Sequence, residues 1–597
     1  MSESLMAWYE RELNLLYEGS KSFAKEYPQL AKHLGLTRHQ VDDPHVARVC
    51  EAIALLNARQ SKQLSEESTQ LSSSLLSVIF PLSLQSLPSV SMVRIPPSED
   101  QPQVSTVASG TPLRIYINEE RYCQFRTTRD LQLLPFDIHK HALEVRPFNL
   151  EHIKYPNSAN ALLRLDFHML DESRIFSELI DCNELSIYFD GLISHQAQVY
   201  DDLCRKRCRM ILVNEDGNTF ELDNDQFQPV GFSEHECMMT KKACQFIDYQ
   251  MCLELFSWPE LFTGFKLVGI GKALKNFFSR KISLLLFIEG ATDGLLTAVQ
   301  GVKFQLGCAP IINLFEHIAE PLIIDHRKIS YPVIADTKAK HTMEIQEVTS
   351  LIDVTGDEPS IVPPLFGLKH NEKNKGIFWH YQVPDESDAD HFGRISLVYP
   401  NLNPDDNQSM VVSTHLICTN GISVLDIPEN PKIECLESIA LASEPVLIMR
   451  PTPRIKRSMD VKKRLDLLVH LKGAFIGLLN APNQADYLRT LMSLYCIRNN
   501  GINMAWLNSI VSLQHRSLVA PIRINGRQCF VQGMELIIEL DATQIKEVSI
   551  MMFVNLLNFM ASGYAGYQGF VELVIFLKGE SREYIRCLRH HGFQKNP

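Results

Sequence analysis

The chain runs to 597 residues, of which 45% are hydrophobic and 21% charged, and its formal net charge is −12. One hydrophobic core cannot serve that length, so roughly three to five domains are expected, and the apolar content is too high for disorder. The acidic balance argues against a nucleic-acid binder, which needs a basic face to neutralise phosphates.

The first 80 residues read as helix. Met1-Ser2-Glu3-Ser4 carries an acid where a secretory leader carries Lys or Arg. Leu5, Tyr9, Leu13, Leu16, Phe23 and Tyr27 then share one helical face, which Pro28 closes. A second helix is predicted from Asp43 as N-cap and Pro44 at the first position, with a stripe of Val46, Val49, Ile53, Leu56 and Leu64. A third carries Leu71, Leu75, Val78 and Ile79 and stops before Pro81. Three such helices hold more apolar face than their own packing consumes. The surplus makes Tyr9, Leu13, Leu16, Phe23, Tyr27, Val49, Ile53 and Leu56 candidate partner-interface residues, in a groove or bundle contact. The alternative is that the helices cap the chain's own core.

From about residue 89 the period shortens to two. Leu113, Ile115 and Ile117 alternate, as do Leu163, Leu165, Phe167 and Met169, and again Leu185, Ile187 and Phe189. Ser109-Gly110-Thr111-Pro112 is a turn, and the stretch from Cys123 to Thr128 another strand. Trp258-Pro259-Glu260 reads as a short helix entry. Pro310 and Pro321 bracket an apolar turn, after which Leu322, Ile323 and Ile324 read as a buried strand with Asp325, His326 and Arg327 emerging at its end. An Asp325–Arg327 pair there would be partly shielded and fix the next loop.

Residues 330–440 are β-rich, with strands around Trp379 and over 411–418, and loops at 356–364 and 401–407 dense in Gly, Pro, Asp and Asn. A helix is predicted over 461–479 with the apolar face Leu465, Leu468, Leu471 and Phe475. Asn525-Gly526 marks a hairpin within 520–540. A helix over 543–559 and a strand over 570–576 close the chain, with His590-His591 in a solvent-facing tail. The expectation is a multidomain α+β protein: a helical docking segment over 1–88, a β-rich α+β domain over 89–330, a β-rich domain over 331–445 and an α+β domain over 446–597.

Catalytic and cofactor patterns fail. The 14 cysteines include no Cys-x-x-Cys knuckle, so zinc is not expected. The glycines around Gly269-Ile270-Gly271-Lys272-Ala273 miss phosphate-loop spacing, and Ala273 cannot reach Mg²⁺. No nucleophile elbow or zinc-protease helix occurs. His139 and His141, two apart, share one face of a strand without a third ligand. The run from Arg205 to Arg209 reads as a solvated helix face. No apolar run approaches the ~20 residues of a membrane span.

Several stretches, in this order, resemble the TssF (VasA or ImpG) family of type VI secretion baseplate subunits. They are Tyr9-Glu10-Arg11-Glu12-Leu13, Asp43-Pro44-His45-Val46, Gly110-Thr111, Phe125-Arg126-Thr127-Thr128, Pro229-Val230-Gly231-Phe232, residues 253–265, residues 308–327 and residues 416–420. Within 308–327, Asn313, Phe315, Glu316, Glu320, Pro321, Asp325, His326 and Arg327 form a candidate structural junction. The resemblance implies a non-enzymatic, cofactor-free scaffold, cytoplasmic and membrane-proximal within the baseplate. It implies a wedge in which two such chains embrace one TssG and TssK docks through TssG. The wedges would surround a VgrG spike and support TssE and the sheath. The apolar stripes of residues 5–79, for their part, predict self-association until partners cover them. An adaptor for spike or effector cargo is the alternative, and a hydrolase built from distant side chains a further one. The final Leu588-Arg589-His590-His591-Gly592 departs from the family's ending.

Overall fold

The computed structural model describes residues 5–33, 44–101, 103–148, 150, 153–179, 181–239, 246–325, 327–339, 342–365, 376–382, 393–399, 409–436, 441–456, 461–498, 500–524, 527–545, 547–565 and 569–591. Among these, side chains are described except at 66–70, 293, 461, 472–476, 522–524 and 527–529. The architecture is α+β and multidomain.

Helix α1 spans Leu5–Glu26, and Pro28 opens a short α2, Pro28–His33, rather than ending the helical run. The second and third helices expected from the pattern are one: α3 runs unbroken over Pro44–Ile79. Residues 65–70 are polar but contain no Gly or Pro, so nothing in them costs enough to stop a helix. Asp43, the expected N-cap, lies outside the described residues. Phe80 is fully buried and closes α3 onto the body, where Pro81–Ser83 forms one 3₁₀ turn.

Six strands build the sheet beneath: Ile433–Cys435, Pro112–Tyr116, Tyr122–Thr127, Cys308–Ile312, Val90–Arg94 and Val446–Met449, in that spatial order. The predicted alternation holds in Pro112–Tyr116, where Leu113 and Ile115 are buried. Pro310 does not bracket a turn. It sits inside Cys308–Ile312 opposite Met92, and its carbonyl accepts from both the N–H and the Oγ1 of Thr128. A five-stranded sheet, Thr219–Leu222, Arg207–Asn214, Lys281–Glu289, Ala159–Met169 and Phe136–Val145, lies beside a four-stranded one, Phe227–Pro229, Gly264–Val268, Glu184–Gly191 and Val302–Gln305. Between these strands run α4 (Ile193–Arg205), α5 (Ile247–Ser257), α6 (Gly271–Leu274) and α7 (Asp293–Gln300). The basic run from Arg205 is therefore no helix face: α4 ends at Arg205 and the strand Arg207–Asn214 begins two residues on.

A second body has its own core. Strands Phe315–Ile318 and Leu322–Ile324 both pair with Met410–Thr419, followed by Glu344–Asp353 and Ser360–Val362, a short strand in what reads as loop. Tyr331–Pro332, Arg394–Val398 and Phe378–Gln382 form a smaller sheet against it. Its core contains Phe315, Leu351, Trp379, Ile395, Val412 and Leu416. The loop expected at 401–407 lies outside the described residues.

The C-terminal part contains α8 (Val461–Asn480), α9 (Gln484–Ser493), α10 (Gly501–Ser509) and α11 (Ile550–Gly563). Among the described side chains of α8, Leu467, His470 and Leu478 are buried. Of the expected face, Leu468 and Leu471 pack half-buried against the core, Leu465 is exposed, and the Phe475 side chain lies outside the described residues. The buried line is shifted toward Leu467 because α8 packs against both α3 and α9, with the Arg464 guanidinium donating to Ser73 Oγ. Strands Ile510–Ile524 and Arg527–Leu540 pair down to Ile524 and Arg527, with the turn residues outside the described set. Thr543 belongs to a turn around Asp541, and α11 starts later, where the Ser549 hydroxyl accepts from the Met552 N–H. The strand Phe570–Leu577 pairs in parallel with Arg527–Leu540 and carries Glu583–Arg586 and His590–His591 on its other edge. The tail is thus part of the sheet, and His590 bonds Asn558. Trp506 lies parallel to Phe553 at 5.8 Å and beside Phe256, so this unit shares the largest core with the preceding sheets.

Candidate functional site

The helical segment presents two different apolar faces. Tyr9, Leu13, Leu16 and Phe23 lie half-buried along α1, and α3 meets α1 through fully buried Ala54 and Ala58. Small side chains there let the two helices approach closely. Ser61 Oγ donates to Glu12 Oε1 at 3.0 Å across the contact. At 3.6 residues per turn, Val49, Ile53, Leu56, Leu64, Leu71, Leu75 and Val78 fall on the other side of α3 from these alanines, and all are exposed, Leu56 by 63%. Tyr27 and Leu30 add to the exposed apolar surface after α1. Of the eight residues expected at an interface, four therefore knit α1 to α3, and Tyr27, Val49, Ile53 and Leu56 face outward. The stripe is a continuous line of exposed apolar side chains along one side of α3.

The second cluster is a junction. Asn313 stands between Cys308–Ile312 of the six-stranded sheet and Phe315–Ile318 of the second body. Buried Asn313 Nδ2 donates to the Gln124 carbonyl at 2.6 Å and to Asn420 Oδ1 at 2.9 Å. Asn420 N–H returns a bond to Asn313 Oδ1 at 2.7 Å, and Gln124 N–H donates to Asn420 Oδ1 at 2.8 Å. Phe315 is buried, while Glu316, Glu320 and Pro321 are exposed, Glu320 accepting from Thr337 Oγ1. Leu322–Ile324 is an edge strand with one face open: Ile324 is buried and Ile323 exposed. Asp325 and Arg327 form no shielded pair. They stand 3.8 Å apart with the Arg327 side chain 86% exposed, and the closer partner of Asp325 is the Tyr331 hydroxyl at 2.9 Å. This hydrogen bond first, and the Arg327 N–H second, hold the Asp325 carboxyl below its usual pKa. His326 lies outside the described residues.

A third cluster escaped sequence reasoning, although the family-like stretches surround it. Arg129, one residue past Thr128, is buried with its guanidinium on the Glu236 and Leu261 carbonyls and the Tyr188 hydroxyl. The Glu236 carboxylate pairs with Lys266 at 3.2 Å. Burial works to raise the Glu236 pKa, but Arg129 and Lys266 outweigh it and the group stays below its ordinary value. Glu254 on α5 is fully buried and accepts the N–H groups of Met238 and Met239 and the Gln250 amide; burial nevertheless raises its pKa. Gly231 has φ +93°, and a Cβ there would collide with Phe262 and the Arg129 guanidinium. The signal available in the sequence was a charged residue directly after Thr128, with no indication of its partners.

No group of three metal-ligating side chains comes together among the described residues. A bulge in Phe136–Val145 breaks the alternation expected of His139 and His141: His139 stacks on His168, and His141 lies against Phe304. Among the described residues, no helix is long and apolar enough to cross a membrane.

A family model described as "Type VI secretion system, TssF" matches residues 1–594. The type VI secretion system component TssF1 of Pseudomonas aeruginosa is 20% identical over 623 aligned positions, which cover all of both chains. Among solved structures, a chain of a type VI secretion TssK–TssF–TssG baseplate subcomplex superposes with a TM-score of 0.70 at 21% identity, covering 91% of this chain and 99% of that one. A chain of a type VI secretion baseplate complex gives 0.58 at 19% identity, covering 98% and 99%.

Proposed function

We propose, on the premise that this chain belongs to the TssF family of the type VI secretion system, that it is a structural subunit of the baseplate and works without turnover. The observation that carries this reading is the exposed apolar stripe of α3, from Val49 to Val78, on the side away from α1. Covering it releases apolar surface from water at roughly 25 cal/mol per Å², and a few large side chains would dominate that gain. The occupant we infer is a TssG-like subunit, with two copies of this chain on each and a TssK-like subunit attached through it. Such wedges would scaffold a spike hub of VgrG type, support TssE and the sheath, and take part in triggering contraction. The fold of relatives drawn from TssK–TssF–TssG assemblies supports this assignment.

Co-expression with the TssG and TssK homologues of the same genome, followed by native mass spectrometry, tests it. The expected species holds two copies of this chain for each TssG. Purification of all three as separate, soluble components would overturn the reading.

A further inference from the structure

We propose that residues 315–419 form a head that swings as one body about paired chain crossings at residues 313–314 and 419–421. The head has a core of its own, built around Phe315, Leu351, Ile395, Val412 and Leu416, distinct from the core that joins the sheets beneath to the C-terminal unit. Among the described residues the chain enters it once and leaves it once. The reciprocal bonds between Asn313 and Asn420 place entry and exit side by side, so both covalent links lie at one joint. At the exit, Gly421 has φ +56°, and a Cβ would meet the Glu344 carboxylate.

What closes the head is a polar clasp at the start of the strand Glu344–Asp353. Ser86 Oγ donates to Gln346 Oε1 at 3.0 Å, and Gln346 Nε2 donates to the Ser86 carbonyl at 2.6 Å. Gln85 reaches Glu347 at 3.4 Å, and Arg454 pairs with Glu344. Ile417 adds an apolar contact with the larger core. Water can replace each clasp bond at small net cost, whereas opening either core exposes apolar surface. Two bodies with separate cores, adjacent links and a polar seam are the ingredients of hinge motion.

Single-molecule energy transfer on the full chain tests this, with dyes on non-natural residues at exposed Ile361 in the head and exposed Phe278 in the body. The parent should show one dominant population. Ser86→Ala with Gln346→Ala, and separately Arg454→Gln on the body side, should each enlarge the population outside that peak by about tenfold. Exchange of the Ala319 N–H, bonded to the Thr414 carbonyl inside the head, should stay slow in both. An unchanged distribution in both variants, or a changed one accompanied by fast exchange at Ala319, overturns the hinge.

Discussion

Asn313 and Asn420 hold each other across 107 positions of chain, each giving one hydrogen bond and taking one. Both are buried, and the pair also engages Gln124 from both sides of its peptide, as carbonyl and as N–H. A carboxamide suits this place because it donates and accepts at once.

Asn313→Ala leaves Asn420 and the Gln124 carbonyl short of partners in a dry site, and should cost about 1–3 kcal/mol. Asn420→Ala should cost a similar amount. Because the two residues form one network, the double variant should lose less than the sum. Chemical denaturation of the four proteins measures this, and strict additivity would show that the pair does not act as a unit.

Charge on α3 should have opposite effects on its two sides. Ile53→Asp or Leu56→Asp meets solvent in the free chain and should leave thermal unfolding unchanged while abolishing co-purification with a TssG homologue. Leu16→Asp, placed toward α3, and Ala58→Leu, which overpacks a fully buried site, should loosen the helices themselves, the latter by about 1–3 kcal/mol. Binding by Ile53→Asp at parental strength would remove the stripe from the interface.

Arg129→Met should be among the most damaging single changes. It leaves the Glu236 and Leu261 carbonyls and the Tyr188 hydroxyl without their buried donor and removes the charge that helps keep the Glu236 pKa low. Each group left unsatisfied costs about 1–3 kcal/mol. Arg129→Lys should rescue little, since one ammonium cannot reach the Glu236 and Leu261 carbonyls and the Tyr188 hydroxyl in the same fork. Thermal unfolding of the full chain reads both, and a parental Arg129→Lys would refute the geometric argument.

By contrast, Arg327→Ala should change stability by only ~0–1 kcal/mol, since its pair with Asp325 is open to solvent. A large loss would mean that Arg327 finds its role in an assembly or in the folding of the neighbouring loop.

Acid should unlock the C-terminal sheet. Buried Glu535 pairs with Arg516 and Arg586. Burial would raise its pKa, but hydrogen bonds and charge from these arginines outweigh it and hold the group below the ordinary 4.5. The folded state therefore binds this proton less readily than the unfolded chain. Its stabilisation is present above about pH 4.5 and is lost as pH falls through the depressed value. Urea midpoints for the transition of the large core that this sheet shares should drop below that pH, and Glu535→Gln should flatten the drop. An equal acid limb in the variant would assign it to other groups.

Local pattern determined much of this protein. Period-two alternation located Pro112–Tyr116, Ala159–Met169 and Glu184–Gly191, and helical periodicity picked out Val49, Ile53 and Leu56, which are exposed, as one apolar stripe. Those features depend on residues a few positions apart, and side-chain periodicity follows directly from backbone geometry. Tertiary structure alone decided the rest. It turned α8 so that Leu467, not Leu465, is buried, because its neighbours α3 and α9 come from distant positions. It drew His590 and His591 into a sheet, and left Arg327 in water after a strand that alternates instead of lying buried. It also joined Glu236 to Arg129 and Lys266, and Asn313 to Asn420. Burial and pairing are properties of what packs against a residue, and a partner a hundred positions away leaves no mark in the local period.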